Sequence, residues 1–135
     1  MSSSLLLAKN GEQTEKSVLT NSELIGEQLP RVKLVVLSAC QTGAESFYNG
    51  EGLVGLSRTF LAAGAPLVVA SQWKVDSDAT AELMKRFHFY RRQENLPTTA
   101  ALRRAQIEML DAPDERFREP YYWAAFAVFG GYAQF

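Results

Sequence analysis

The chain has 135 residues and a mass of 15.0 kDa, which fits a single domain. Hydrophobic residues make up 47% and charged residues 21% of it, as in packed globular chains, so a disordered protein is not expected. The formal net charge is −1, from 14 basic and 15 acidic side chains without a basic block, and nucleic-acid binding is not expected.

The single cysteine and the N-terminal residues bear on the cellular compartment. One cysteine cannot form an intrachain disulfide, so the chain has no oxidative framework typical of secreted domains. The first residues lack the basic region and the apolar length of a signal peptide. No apolar stretch approaches the ~18 residues that would indicate a membrane span. We therefore expect a cytoplasmic location without membrane association.

Three elements are predicted in the first part of the chain. Residues 5–8 form a short apolar run, taken as a strand, which the turn signal Asn10-Gly11 closes. Residues 18–29 are predicted to form a helix that Pro30 stops. Residues 33–40 are predicted to form a strand buried on both faces of a parallel sheet, because apolar residues follow one another within this segment without alternation.

The second part of the chain is predicted to alternate helices with strands. The elements are a helix over residues 51–63 with Gly64 at its C′ position, a strand over Leu67–Ser71, helices from about Ser77 and from Thr98 or Thr99, and a strand over residues 123–129 ended by Gly130-Gly131. The aromatic residues near the end are predicted to be core, namely Tyr121, Tyr122, Trp123 and Phe126. Such an order with short connections predicts an α/β domain with a parallel sheet covered on both faces.

Two loops are candidates for carrying chemistry, because functional groups in such sheets gather where the strands end. One loop begins at Cys40, the last residue of a predicted strand, and the other begins at Ser71. Gly43 permits an unusual backbone angle in the turn that follows Cys40. Position alone leaves two interpretations open: a small buried thiol that fills space, or a nucleophile in an activating environment.

The residues around Cys40 resemble a known family. Ser38-Ala39-Cys40-Gln41-Thr42-Gly43 is similar to the signature around the caspase cysteine. It is more similar still to the CHAT family, caspase-like domains related to the separases and often attached to TPR repeats in bacteria. Further matching segments occur in order along the chain, at residues 35–43, 50–58, 68–76, 79–84 and 120–126.

The resemblance implies a fold, an activity and partners. The fold would be a caspase-like three-layer sandwich with a mostly parallel sheet, of which residues 1–135 form one partial, C-terminal domain. Its N-terminal strands, including one that ends in a His-Gly pair, would be missing. Cys40 would be the nucleophile of a cysteine endopeptidase that acts on a protein or peptide. The partners would be the upstream segment of the same domain and TPR repeats. No cofactor is expected, and no residue spacing resembles a metal site.

The resemblance also implies a substrate pocket beside Cys40. Its candidate residues are Ser38, Ser71, Trp73, Asp76 and Asp78. Trp73 would form an apolar wall, and Asp76 or Asp78 would pair with a basic side chain of the substrate. A second interpretation is that one of the two aspartates caps the helix that follows. The two interpretations are compatible.

The chain departs from the family in its histidine. The family's catalytic histidine precedes the cysteine, by about 50 residues in caspases, and that position would lie before Met1. The one histidine present, His88, is predicted to be a helix residue beside the inward-facing Phe87. A general base is worth ~10²–10⁴ in rate, so we expect the chain alone to be a poor peptidase or none. The alternative function is a non-catalytic protein-interaction module with an inert Cys40.

The truncated sheet gives a last expectation. If N-terminal strands are missing, the strand at residues 33–40 or at residues 5–8 has an edge with unpaired backbone groups. We therefore expect self-association, or dependence on the N-terminal segment supplied in trans.

Overall fold

The computed structural model describes residues 4–6, 18–38 and 52–131 of the chain. The strands among them are β1 (Ser4–Leu6), β2 (Val18–Thr20), β3 (Val35–Leu37), β4 (Leu67–Ser71) and β5 (Phe126–Gly130). The helices are α1 (Asn21–Leu24), α2 (Gly52–Ala62), α3 (Ser77–Arg92), α4 (Thr98–Met109) and α5 (Pro120–Trp123), with a 3-10 helix at Glu115–Arg118. The bounds predicted for β4 and the predicted starts of α3 and α4 are confirmed.

The main sheet of the described residues has the order β3-β4-β5. β3 runs parallel to β4, with Leu37 opposite Ala70. β5 runs antiparallel to β4, with Phe126 opposite Ser71. β1 and β2 form a separate antiparallel pair. The domain is therefore α/β as predicted, but its described sheet is mixed, so the expectation that the last strand runs parallel to its neighbour is wrong.

The direction of β5 follows from the two helices that precede it. α3 leaves the carboxyl end of β4 and α4 returns beside it, as shown by Arg86 Nε, which lies 3.6 Å from Glu108 Oε2. The chain is therefore back at the carboxyl end of β4 when β5 begins. There, Gln72 N donates to Ala125 O at 2.8 Å. A strand that starts where its neighbour ends has to run antiparallel to it.

Helices cover both faces of this sheet. On one face, Val69 packs into a cluster with Phe87 of α3 and Met109 of α4. On the other face, Val68 packs into a second cluster with Leu56 of α2. All five residues of β4 are buried, which its uninterrupted apolar sequence predicts. The alternation along β4 thus sends successive side chains into two separate cores.

The end of α2 confirms the prediction made for Gly64. Its φ is +97°, a left-handed conformation that glycine adopts without a Cβ clash. Gly64 N donates to Leu61 O at 3.1 Å, and Ala65 N donates to Phe60 O at 3.0 Å. This pair of bonds is a Schellman motif, which satisfies two carbonyls at the helix end and turns the chain toward β4.

The helix predicted over residues 18–29 is wrong in its first and last thirds. Residues 18–20 instead form β2, where Leu19 pairs with Leu5 of β1. Only the single turn of α1 is helical, and Gly26 follows it with a φ of +96°. Strand pairing and an early left-handed glycine therefore override the helical spacing of the apolar residues.

The last strand begins three residues later than predicted. Residues 120–123 form α5, because Pro120 occupies its first turn, where no backbone N–H is needed. The strand itself ends at Gly130, whose φ is +126°. A Cβ at this position would collide with the carbonyl oxygen of Pro66, so close approach of β5 requires glycine here.

Candidate functional site

The carboxyl ends of β3 and β4 bring Ser38 and Ser71 to one edge of the sheet. Because Leu37 lies opposite Ala70 in parallel register, the next residue of each strand emerges at the same edge. Ser38 is exposed there, while Ser71 is 1% exposed and closes the end of β4. The structure thus places Ser38 and Ser71, two of the predicted pocket residues, at the same edge of the sheet.

Cys40 lies outside the described residues, as does the turn that follows it. Its role as nucleophile stays a prediction from the sequence. What the structure describes is the surrounding frame, from Ser38 on one side to the segment after Ser71 on the other.

The loop after β4 is fixed by hydrogen bonds to the α5 segment. Trp73 Nε1 donates to Tyr121 O at 3.0 Å, and Tyr121 Oη donates to Lys74 O at 3.0 Å. The two residues therefore hold each other through reciprocal bonds between side chain and backbone. Val75 is buried and anchors the far end of the loop in the core.

These bonds leave two aromatic rings at the surface. Trp73 is 36% exposed and Tyr121 is 56% exposed, although the indole N–H and the phenol are both engaged. We call this pair the aromatic shelf. Tyr121 was predicted to be core and is exposed, whereas Phe126 of the same cluster is buried as predicted. Within α5, a helix of a single turn on the surface, adjacent aromatics point in different directions, so sequence clustering alone could not identify which ring is exposed.

Asp76 is the cap of α3. Its Oδ1 accepts hydrogen bonds from Asp78 N at 2.9 Å and from Ala79 N at 3.0 Å. Thr80 Oγ1 also donates to Asp76 O at 2.7 Å. Asp78 is exposed in the first turn, where its charge faces the positive end of the helix dipole. The structure thereby selects Asp76 from the two capping candidates, and the pairing of either aspartate with a basic substrate stays a prediction.

His88 lies far along α3 from the candidate site. It is the twelfth residue of the helix that starts at Ser77, which at 1.5 Å per residue places it about 16 Å from the start of the helix. Burial lowers the pKa of its imidazole below the ordinary 6.5, and the nearby Arg91 and Arg92 lower it further. His88 Nδ1 has no hydrogen-bond partner among the described residues. It therefore fits the predicted role of a helix residue and not that of a base.

Two other kinds of site are absent from the described residues. They contain no group of three or more histidine, cysteine, aspartate or glutamate side chains that could hold a metal ion. None of their helices combines the length and apolar character needed to cross a bilayer.

Comparisons with known proteins identify the domain. The sequence model of the CHAT domain matches residues 1–131. Tetratricopeptide repeat protein 28 of Homo sapiens is 34% identical over 116 residues, and that of Mus musculus is 34% identical over 113 residues. These matches cover 86% and 84% of this chain but 4% of each relative, so the chain spans a small part of those proteins. No solved structure gives a significant match.

Proposed function

Because the chain belongs to the CHAT domain family, we propose that it carries the nucleophile side of a caspase-like cysteine peptidase site, with Cys40 as the nucleophile. The observation that carries this proposal is the parallel alignment of β3 and β4, which brings Ser38 and Ser71 to one edge. Cys40 follows Ser38 by two residues in the sequence. The aromatic shelf stands at the end of the neighbouring strand and would form the wall of a peptide pocket.

The reaction would be acyl transfer through a thioester. The Cys40 thiolate attacks the peptide carbonyl carbon, a C–S bond forms, and the C–N bond breaks after a base has passed a proton to the leaving amine. Water then hydrolyses the thioester, which releases the acid and regenerates the thiol. The family resemblance assigns the base to a histidine on a further strand. His88 does not supply it, because α3 carries it away from the sheet edge.

The chain by itself is therefore expected not to hydrolyse peptides. The test is incubation with a diverse fluorogenic peptide library at neutral pH, with Cys40→Ser as the control. Cys40-dependent turnover of about 1 s⁻¹ or more, a rate typical of enzymes, would contradict the reasoning. The alkylation rate of Cys40 against pH is expected to show a midpoint near the ~8.5 of a free thiol. A midpoint more than ~1.5 units lower would reveal an activating group.

The peptide pocket is tested separately from turnover. Cys40 is labelled with a peptidyl chloromethyl ketone and with iodoacetamide, and the ratio of the two rates measures recognition of the peptide. Trp73→Ala removes one ring of the shelf and is expected to lower that ratio at least about fivefold, because burial of a large apolar side chain is worth ~1.5–3 kcal/mol. Phe89→Ala is the matched control, since Phe89 is also an exposed aromatic but lies on α3. An equal ratio in all three proteins would exclude the shelf as a pocket wall.

A second candidate function is a non-catalytic protein-interaction module. One argument for it is that His88 lies within α3, away from the sheet edge, and so cannot act as a base for Cys40. Another is that the indole N–H and the phenol of the aromatic shelf are hydrogen-bonded within the chain, which leaves exposed rings suited to contact with another protein. The curated relatives are named for tetratricopeptide repeats. Capture experiments with the chain and with Cys40→Ala distinguish the two functions. Because the chain alone is expected not to hydrolyse peptides, each protein is tested before and after treatment with the peptidyl chloromethyl ketone. A peptidase substrate is lost from the parent chain once Cys40 is blocked, whereas a partner that binds elsewhere is captured equally by both proteins before and after treatment.

A further inference from the structure

We infer that Gln106 of α4 is a positioning residue for the candidate site. Its side-chain amide clamps the junction between α5 and β5, and this junction holds both Trp73 and Ser71 in place. The inference rests on the proposed function only in treating the aromatic shelf and the end of β4 as the substrate-binding surface. Its test uses the conformation of Trp73 and needs no activity.

Gln106 spans the junction with one nitrogen atom. Gln106 Nε2 donates to Trp123 O at 3.1 Å and to Phe126 O at 3.0 Å. The first acceptor is the last residue of α5, and the second is the first residue of β5. An amide nitrogen has two protons, so both are committed to this junction.

Two short paths lead from the clamped carbonyls to the site. Along α5, Tyr121 lies two residues before Trp123 and accepts the indole N–H of Trp73. Along β5, Phe126 lies opposite Ser71 in the sheet register. The positions of Trp73 and Ser71 therefore both depend on the two carbonyls that Gln106 binds.

Packing alone does not hold α5, which makes the clamp important. None of the four residues of α5 is fully buried, and Tyr122 and Trp123 pack against the core while still partly exposed, so hydrogen bonds contribute to fixing its position. α4, in contrast, is anchored through the fully buried Ala105 and Met109. Gln106 follows Ala105 in the sequence, and it therefore ties a short, partly exposed helix to a longer helix that the core holds rigidly.

The experiment follows the indole N–H signals in the full chain labelled with [15N]tryptophan. Trp73→Phe assigns the two resonances, since the chain has two tryptophans. Gln106→Met removes the donors at similar length and is expected to speed hydrogen exchange of the Trp73 indole N–H about three- to tenfold, the factor that corresponds to one net hydrogen bond. Gln106→Lys keeps donors at this position and is expected to stay within about twofold of the parent chain.

Two controls separate positioning from general stability. Arg103→Met places the same side chain at an exposed position of α4 and is expected to leave the Trp73 exchange unchanged. The backbone N–H of Val69, in the buried β4, reports global opening and is expected to exchange at the parent rate in every variant.

Three results would overturn the inference: unchanged Trp73 exchange in Gln106→Met, equal acceleration in Arg103→Met, or parallel acceleration at Val69. If Gln106→Met does not fold, Gln106→Asn, whose shorter amide cannot span both carbonyls, takes its place under the same criteria. A change at Trp73 without any preference of Cys40 for peptidyl reagents would sink the proposed function and leave the positioning role of Gln106 intact.

Discussion

Removal of the α3 cap tests the double role proposed for Asp76. In Asp76→Ala, the backbone N–H groups of Asp78 and Ala79 lose the Oδ1 acceptor that lies 2.9 and 3.0 Å away. Loss of such a cap costs about 1 kcal/mol, and loss of a carboxylate at a helix start costs about 0.3–1 kcal/mol more. The free energy of unfolding should therefore fall by about 1–2 kcal/mol. For a chain of 135 residues this corresponds to a Tm lower by roughly 3–7 °C.

Matched variants separate the acceptor from the charge. Asp76→Asn keeps the oxygen that accepts the cap hydrogen bonds and loses only the charge. Asp78→Asn removes a charge from the exposed first turn and leaves the cap intact. Both should cost about 0.3–1 kcal/mol in urea unfolding followed by circular dichroism, with an unchanged m-value. The reasoning is refuted if Asp76→Asn is as destabilising as Asp76→Ala, or if Asp76→Ala costs no more than Asp78→Asn. Slower labelling of Cys40 in Asp76→Asn by basic peptidyl reagents alone would add the pocket role to the cap.

Three further predictions concern the core, the histidine and the sheet edge. Phe87→Ala should lower the free energy of unfolding by about 3–5 kcal/mol, because Phe87 is 0% exposed. Phe89→Ala should lower it by about 0.5 kcal/mol or less, because Phe89 is 50% exposed. Comparable urea midpoints for the two variants would contradict this. Folding lowers the pKa of His88, so the unfolded chain binds the proton more readily and the free energy of unfolding falls as the pH drops below about 6.5. From pH 7.5 to 5.0 the urea midpoint should therefore decrease less in His88→Gln than in the parent chain. An equal decrease in both would contradict this prediction. Among the described residues β3 pairs with β4 alone, so sedimentation across a dilution series should show that the chain associates. A monomer that persists at micromolar concentration and binds no dye for apolar surface would contradict this.

The elements predicted best from the sequence are those with one dominant signal. β4 is an uninterrupted apolar run between Pro66 and a polar loop, and it is buried on both faces. α3 repeats apolar residues at helical spacing, and Ala79, Leu83 and Phe87 are all fully buried. In both elements local preference and tertiary burial agree, so neither overrides the other.

The failures occur where tertiary contacts decide between competing local patterns. Residues 18–29 have helical spacing, yet Leu19 finds a strand partner in Leu5, and the sequence contains no information on that distant pairing. The mixed direction of the sheet depends likewise on α4 returning beside α3, which sets the edge from which Phe126 starts. Alternation of helices and strands by itself favoured a parallel arrangement.

The candidate site could be located but not assembled from the sequence. The rule that functional loops leave the carboxyl ends of parallel strands selected the loops that begin at Cys40 and Ser71. The register of β3 and β4 places Ser38, two residues before Cys40, at the same edge as Ser71. The hydrogen bonds that shape the site join Trp73 to Tyr121 across 48 residues, and Gln106 to Phe126 across 20 residues. Contacts of such separation leave no periodic signal in a single sequence.

The strand order constrains how a base could reach the site. β4 has neighbours on both sides, since β3 and β5 flank it, and β5 occupies the side next to Ser71. Within the described residues β3 has a neighbour on one side only. A histidine carried on a further strand can therefore pair with β3 or with the side of β5 that is free among the described residues, about 4.8 Å from its partner strand, and not with β4. Pairing with β3 would place the histidine on the Ser38 side of the site, opposite the aromatic shelf. Under the proposed function, a peptide at Cys40 would then meet its base on one side and its pocket wall on the other.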